Sequence, residues 1–129
     1  MAKIEIDSRS LSSRSSDSRK LEIEKKDIFI SAFFPCYNDA GTIASMVELT
    51  TMTLRKLTHK YEVVVVDDGS SDWSRPILIS LKKIYPHLKL VFHEKNQGYG
   101  GALISGFRNC LGDLIFYTDG DFQYDVTEL

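Results

Sequence analysis

Four short apolar runs punctuate the chain: DIFISAFF (27–34), YEVVVV (61–66), LKLVFH (88–93) and DLIFYT (113–118). Continuous β-branched and aromatic runs of this length suit strands buried on both faces. The segments between them read as helices. In NDAGTIASMVELTTMTLRKL, residues Ile43, Met46, Val47, Leu54 and Leu57 recur near helical spacing, with Asp39 or Thr42 available as N-cap. A second helix is expected from about Asp72 to Tyr85, where Pro76 fits only in the first turn. A third follows the glycines of GYGGALISGFRNCL. The order β-α-β-α-β-α-β, with connections long enough for helical crossovers, predicts an α/β fold: a parallel sheet with helices on both faces.

Ahead of this pattern, DSRSLSSRSSDSRK (7–20) holds almost nothing that could be buried to offset the entropy of ordering. Residues 1–26 are therefore expected to form a flexible polar tail, or a docking or phosphorylation arm, and residues 27–129 one domain. At 129 residues and 43% hydrophobic content the chain supports one core and not two. Sixteen basic residues, scattered, against eighteen acidic ones give a net charge of -2, which argues against nucleic acid as a partner. No apolar run approaches the roughly 18 residues that span a bilayer, and MAKIEIDSRS lacks a signal-peptide core, so a cytoplasmic location is expected. Cys36 and Cys110 are too few for a disulfide framework and are expected as half-buried thiols.

In an open parallel sheet, ligands bind beyond the carboxyl ends of the strands. The four unusual polar clusters all fall there: PCYND (35–39), DDGSSD (67–72), EKNQGYGG (94–101) and DGDFQYD (119–125). Taken singly, DDGSSD is a good turn with an N-cap, and NQGYGG is a glycine-rich helix entrance. His59, His87 and His93 have no metal-ligand spacing, and Trp73 is expected to pack.

DGDFQ resists a purely structural explanation. Asp119 and Asp121, two residues apart at a strand end, repel unless solvated or neutralised by a cation. With the amide oxygen of Gln123 they form a hard oxygen set suited to Mg²⁺ or Mn²⁺, and such an ion completes its shell with water and substrate phosphates. The site is thus expected to hold a phosphorylated ligand.

FFPCYNDAGTI, YEVVVVDDGSSD, NQGYGGALISGFRNCLGD and FYTDGDFQYD, in this order over residues 28–129, resemble the nucleotide-sugar glycosyltransferases of family 2. The DxDxQ form is most similar to the branch that transfers sugars to polyprenyl or dolichyl phosphate. The resemblance implies a GT-A type fold, a Rossmann-like three-layer αβα unit with a mainly parallel sheet, present as its N-terminal donor-binding half. It implies an inverting enzyme with Mg²⁺ or Mn²⁺ as cofactor, a UDP- or GDP-sugar as donor and a lipid phosphate as acceptor, working at the cytoplasmic face of a membrane in a longer form. By the same resemblance Pro35, Tyr37 and Asp39 border the nucleotide, Asp39 standing where the family more often has Glu. Asp67 and Asp68 face the base and ribose, the former toward the base. Asn96, Gly98 and Gly100 shape the wall beside ribose and diphosphate. Asp119 faces the ribose or the metal, while Asp121 and Gln123 hold the cation. Cys36, Tyr124 and Asp125 depart from the commoner family pattern.

The family's second half, which would carry the acceptor surface and any general base, is expected to lie outside this chain, so no catalytic base is assigned. The sheet edge at the fourth strand is then expected to be open and to favour self-association. A dinucleotide oxidoreductase would need its G-x-G-x-x-G after the first strand, where PCYNDAG stands instead. A non-catalytic nucleotide-binding or dimerising module is the remaining alternative, because these motifs can outlast the chemistry.

Overall fold

The computed structural model describes residues 3–4 and 26–117. Five strands, β1 (Lys3–Ile4), β2 (Lys26–Cys36), β3 (Thr58–Asp67), β4 (Leu88–Phe92) and β5 (Leu114–Tyr117), alternate with three helices, α1 (Ile43–Leu57), α2 (Ser74–Ile84) and α3 (Gly98–Asn109). The sheet order is β1-β5-β2-β3-β4, with β2 through β5 mutually parallel and β1 antiparallel to β5. This is the expected α/β architecture.

The valine run explains why β3 lies deep in the sheet. Val63, Val64, Val65 and Val66 are all buried, which requires cover on both faces. Each such side chain contributes about 1.5–3 kcal/mol on burial. Alternation along β2 separates the two layers. Ile30, Ala32 and Phe34 join a cluster with Ile43, Met46, Val47 and Leu54 of α1 and Leu78 of α2. Phe33 points the other way and meets Phe107 of α3 edge-on, with ring centroids 4.9 Å apart. That approach needs a helix without bulk: a Cβ added at Gly106 would lie 2.1 Å from the Phe33 ring.

The winding locates the ligand edge. From β2 the chain steps outward to β3 and β4, then returns through α3 to β5 on the far side of β2. The reversal puts the switch point between the carboxyl ends of β2 and β5, where open α/β sheets bind ligands. Phe33 pairs with Tyr117 there, so the loop after Cys36 stands beside the end of β5.

Several boundaries differ from the sequence expectation. Lys3 and Ile4, within the stretch expected as a tail, pair with Tyr117 and Phe116, so the β5 edge expected to be open carries a partner over two residues. Lys26 already belongs to β2, and the rest of that stretch lies outside the described residues. Strand β2 continues through Pro35 and Cys36, which the polar pattern assigns to a loop. Its described pairing with β5 stops at Phe33, so the N–H that Pro35 lacks is not one of those ladder bonds. Helix α1 runs directly into β3 at Thr58. Thr42 takes the N-cap position of α1 without a side-chain cap bond; the Asp39 carbonyl accepts from the N–H groups of Thr42 and Ile43 instead. Pro76 sits in the first turn of α2, as its missing N–H requires. Trp73, expected to pack, is 74% exposed.

Candidate functional site

Three loops meet at the carboxyl edge, and backbone chemistry ties them together. Asn38 adopts a left-handed conformation (φ 54°), which a short amide side chain tolerates. Its Oδ1 accepts from the N–H of Ser71 at 2.8 Å and of Asp72 at 3.3 Å. In return, the N–H groups of Asn38, Asp39 and Ala40 donate to Ser70 Oγ, Ser74 Oγ and Asp72 Oδ2. The serines and aspartate of DDGSSD thus brace the loop after β2 as well as turning their own. The Ser74 hydroxyl holds Asp72 below the usual carboxylate value; burial opposes it, and backbone N–H groups add to the lowering.

The third loop is fixed by contact. Gly69 has φ 75°, and a Cβ there would stand 2.6 Å from the Asn96 nitrogen. Asn96 Nδ2 donates to the Asp68 carbonyl at 3.2 Å, and Asn96 Oδ1 accepts from Gly98 N–H at 3.0 Å.

The two consecutive aspartates point to opposite layers. Asp67 is fully buried, and its Oδ2 accepts from Ser70 N–H at 3.3 Å and Arg75 Nε at 3.4 Å. Its Oδ1 is buried with no hydrogen-bond partner among the described residues, a costly state for a carboxylate oxygen. Arg75 also donates to the His93 carbonyl at 2.7 Å and lies over the Phe92 ring. Asp68 turns toward α3. Its Oδ1 meets His93 Nδ1 at 2.8 Å and accepts from Gln97 N–H at 2.8 Å. Its Oδ2 takes no hydrogen bond from a described residue.

Residues 31–129 match the family described as glycosyl transferase family 2. The chain belongs to glycosyl transferase family 2. It is 35% identical over 101 residues to an undecaprenyl-phosphate 4-deoxy-4-formamido-L-arabinose transferase of Photorhabdus laumondii, covering 78% of this chain and 31% of that one. The enzyme of the same description from Pseudomonas fluorescens is 32% identical over 102 residues, covering 78% and 30%. The chain therefore spans about a third of these relatives' length. Among solved structures, a mannosyltransferase from Pyrobaculum calidifontis in complex with GDP-Man and Mn²⁺ superposes with a TM-score of 0.66 at 26% identity, covering 74% of this chain and 28% of that one. Glucosyl-3-phosphoglycerate synthase from Mycobacterium tuberculosis, in complex with Mn²⁺, UDP and glucosyl-3-phosphoglycerate, gives 0.61 at 25%, covering 80% and 37%.

Against the family pattern, the structure gathers most of the expected residues at one edge. Tyr37, half exposed, and Asp39 lie on the loop after β2; Pro35 is buried in the strand beneath them. Asp67 closes β3 and Asp68 follows it, while Asn96 precedes α3 and Gly98 and Gly100 lie in its first turn. Asp119, Asp121 and Gln123 lie outside the described residues, beyond Tyr117. Among the described residues no cluster of His, Cys, Asp or Glu could hold a metal ion, so the fit of the expected cation rests on the oxygen set of DGDFQ, outside the described residues.

Cys36, the unusual occupant of the first loop, is the buried last residue of β2, and burial pushes its thiol up to about 11. Cys110 is pushed up to about 12, also by burial first. Burial thus disfavours the thiolate of both.

His93 is the site residue that sequence reasoning misses. It is buried, its carbonyl serves Arg75, and its ring serves Asp68. The one available signal is a polar residue at the carboxyl end of an apolar strand, just before the NQG entrance.

A separate cavity of about 540 Å³ lies at the opposite end of the strands, lined by Arg55, His59, Tyr61, Tyr85 and His87 among others. It includes the first residues of β3 and none of the loop residues above.

Proposed function

We propose that this chain is the donor-binding part of an inverting transferase that moves a sugar from a nucleoside diphosphate to a polyprenyl phosphate. The observation that carries this reading is the half-claimed Asp68 carboxylate at the convergence of three loops: one oxygen is fixed by protein donors and the other is left for hydroxyl or ring N–H donors. Tyr37 supplies an exposed ring at the same rim, suited to lie against a base. The relatives' descriptions and the nucleotides and Mn²⁺ in the solved neighbours support the same reading.

In this account Asp67 and Asp68 accept from base and ribose, while Asn96, Gly98 and Gly100 form the wall beside ribose and diphosphate. Asp121 and Gln123, with Asp119 on the ribose or metal side, hold Mg²⁺ or Mn²⁺. When bound, the cation offsets the charge that develops on the departing diphosphate. The bond between the anomeric carbon and the diphosphate oxygen breaks, and its electron pair leaves with the nucleotide. An acceptor oxygen attacks from the opposite face, inverting the centre. A phosphate acceptor is already ionised, so it needs no general base.

No helix among the described residues is long and apolar enough to cross a membrane. A lipid-phosphate acceptor places the working enzyme at a membrane face, and the reading adopted is the cytoplasmic one. Association between copies is proposed through the β5 edge, which Lys3 and Ile4 cover over two residues.

The test is calorimetric titration of the chain with UDP and with GDP, with and without Mn²⁺. One nucleotide should bind, with Mn²⁺ strengthening it by about tenfold or more, and Asp121→Ala should abolish that gain. Binding indifferent to both metal and substitution would remove the metal-dependent donor site.

A further inference from the structure

We infer that His93 is a positioning residue for the donor site, holding Asp68 so that Oδ2 faces the nucleotide; this rests on the donor-site reading above. Parallel register pairs Asp67 with Phe92 and so brings the following residues, Asp68 and His93, together. The result is a buried row. Asp68 Oδ1 meets His93 Nδ1 at 2.8 Å, and His93 Nε2 meets Ser105 Oγ at 2.7 Å. A carboxylate oxygen only accepts, so Nδ1 carries a proton; in the neutral ring Nε2 then accepts from the Ser105 hydroxyl. Both ring nitrogens are therefore committed, and the ring cannot turn without losing both bonds.

The row has the order Asp, His, Ser, yet Ser105 lies inside α3, where backbone N–H groups are used within the helix. Its hydroxyl anchors the imidazole.

Two further contacts make His93 the junction of the site. Its carbonyl accepts from Arg75, which also holds Asp67, and Gln97 N–H donates to the same Asp68 oxygen as the ring. Asp68 Oδ1 thus receives two fixed donors. Such a carboxylate is pre-aimed, which saves ordering cost on binding.

Substitutions separate the two ring nitrogens. Replacement amides differ in reach: that of His93→Asn lies near the Nδ1 position, whereas that of His93→Gln lies near Nε2. With the Mn²⁺-loaded chain and the nucleotide that the natural chain binds, His93→Gln and His93→Leu should weaken binding about tenfold, the scale of one hydrogen bond to a charged group. His93→Asn should recover most of that loss. On an Asp68→Ala background, His93→Gln should have no further effect on binding. Thermal melting of each variant separates affinity from folded fraction. Equal losses in His93→Asn and His93→Gln, unchanged binding in both, or an additive double variant would overturn the positioning role. Failure of the natural chain to bind either UDP or GDP would overturn the donor-site reading itself, and this inference with it.

Discussion

Gly69 and Asn96 touch backbone to backbone across two loops: a Cβ at residue 69 would stand 2.6 Å from the Asn96 nitrogen and 2.8 Å from the Lys95 carbonyl carbon. The contact is made by main chain on the Asn96 side, so no side-chain rotation relieves it. Gly69→Ala adds that clash to a positive φ. It should destabilise the chain by about 1–3 kcal/mol and weaken nucleotide binding, read by urea unfolding and titration of the same sample. A variant of natural stability would show that the two loops separate freely.

Gly106→Ala should act on the packing of α3 against β2. Its Cβ would fall 2.1 Å from the Phe33 ring, forcing α3 away from β2. Overpacking of this kind costs about 1–3 kcal/mol. Circular dichroism melts should show the loss, and an unchanged midpoint would mean that Phe33 has another rotamer available.

Much of this architecture is legible from the apolar runs, because strands covered on both faces need no partner-specific signal. What escapes depends on register or on distant pairing. The neighbourhood of Asp68 and His93 exists because β3 and β4 pair Asp67 with Phe92, and no local pattern encodes that offset. The pairing of Lys3 and Ile4 with β5 is likewise a long-range event within a stretch whose composition suggests only a tail. Trp73 misleads through its type: a large ring usually packs, but here it stands on the turn that opens α2. The edge loops are readable as a group because their polar residues repeat after every strand.

Acid should weaken the fold partly through Glu62. Burial alone would raise its pKa, but Leu111 N–H, the Ser31 hydroxyl and Lys89 outweigh that and leave it below the ordinary value of 4.5. A depressed carboxylate contributes stability above its unfolded pKa, and loses it as pH falls through the folded value. Urea unfolding at pH 7 and at stepwise lower pH should therefore show a decline below about 4.5 that Glu62→Gln flattens. Parallel profiles for both chains would assign the acid sensitivity elsewhere.

Cys36 and Cys110 should resist thiol reagents at neutral pH, since burial raises their pKa values to about 11 and about 12. Their contribution to stability is present below 9.0, the ordinary thiol value, and is lost as pH rises through the folded values. Reaction with an aromatic disulfide reagent at pH 7.5 should run at least about tenfold slower in the native chain than in urea. Rapid native labelling of Cys36 would contradict its burial at the end of β2.

The most direct measurement of the central claim is amide NMR of the labelled chain during titration with UDP and GDP in Mg²⁺. The account predicts that one nucleotide moves the signals of Tyr37 to Asp39, Asp67 to Ser70 and Asn96 to Gly100 together, while those around the Arg55 and His87 cavity stay in place. Shifts confined to that cavity, or none with either nucleotide at millimolar concentration, would contradict it.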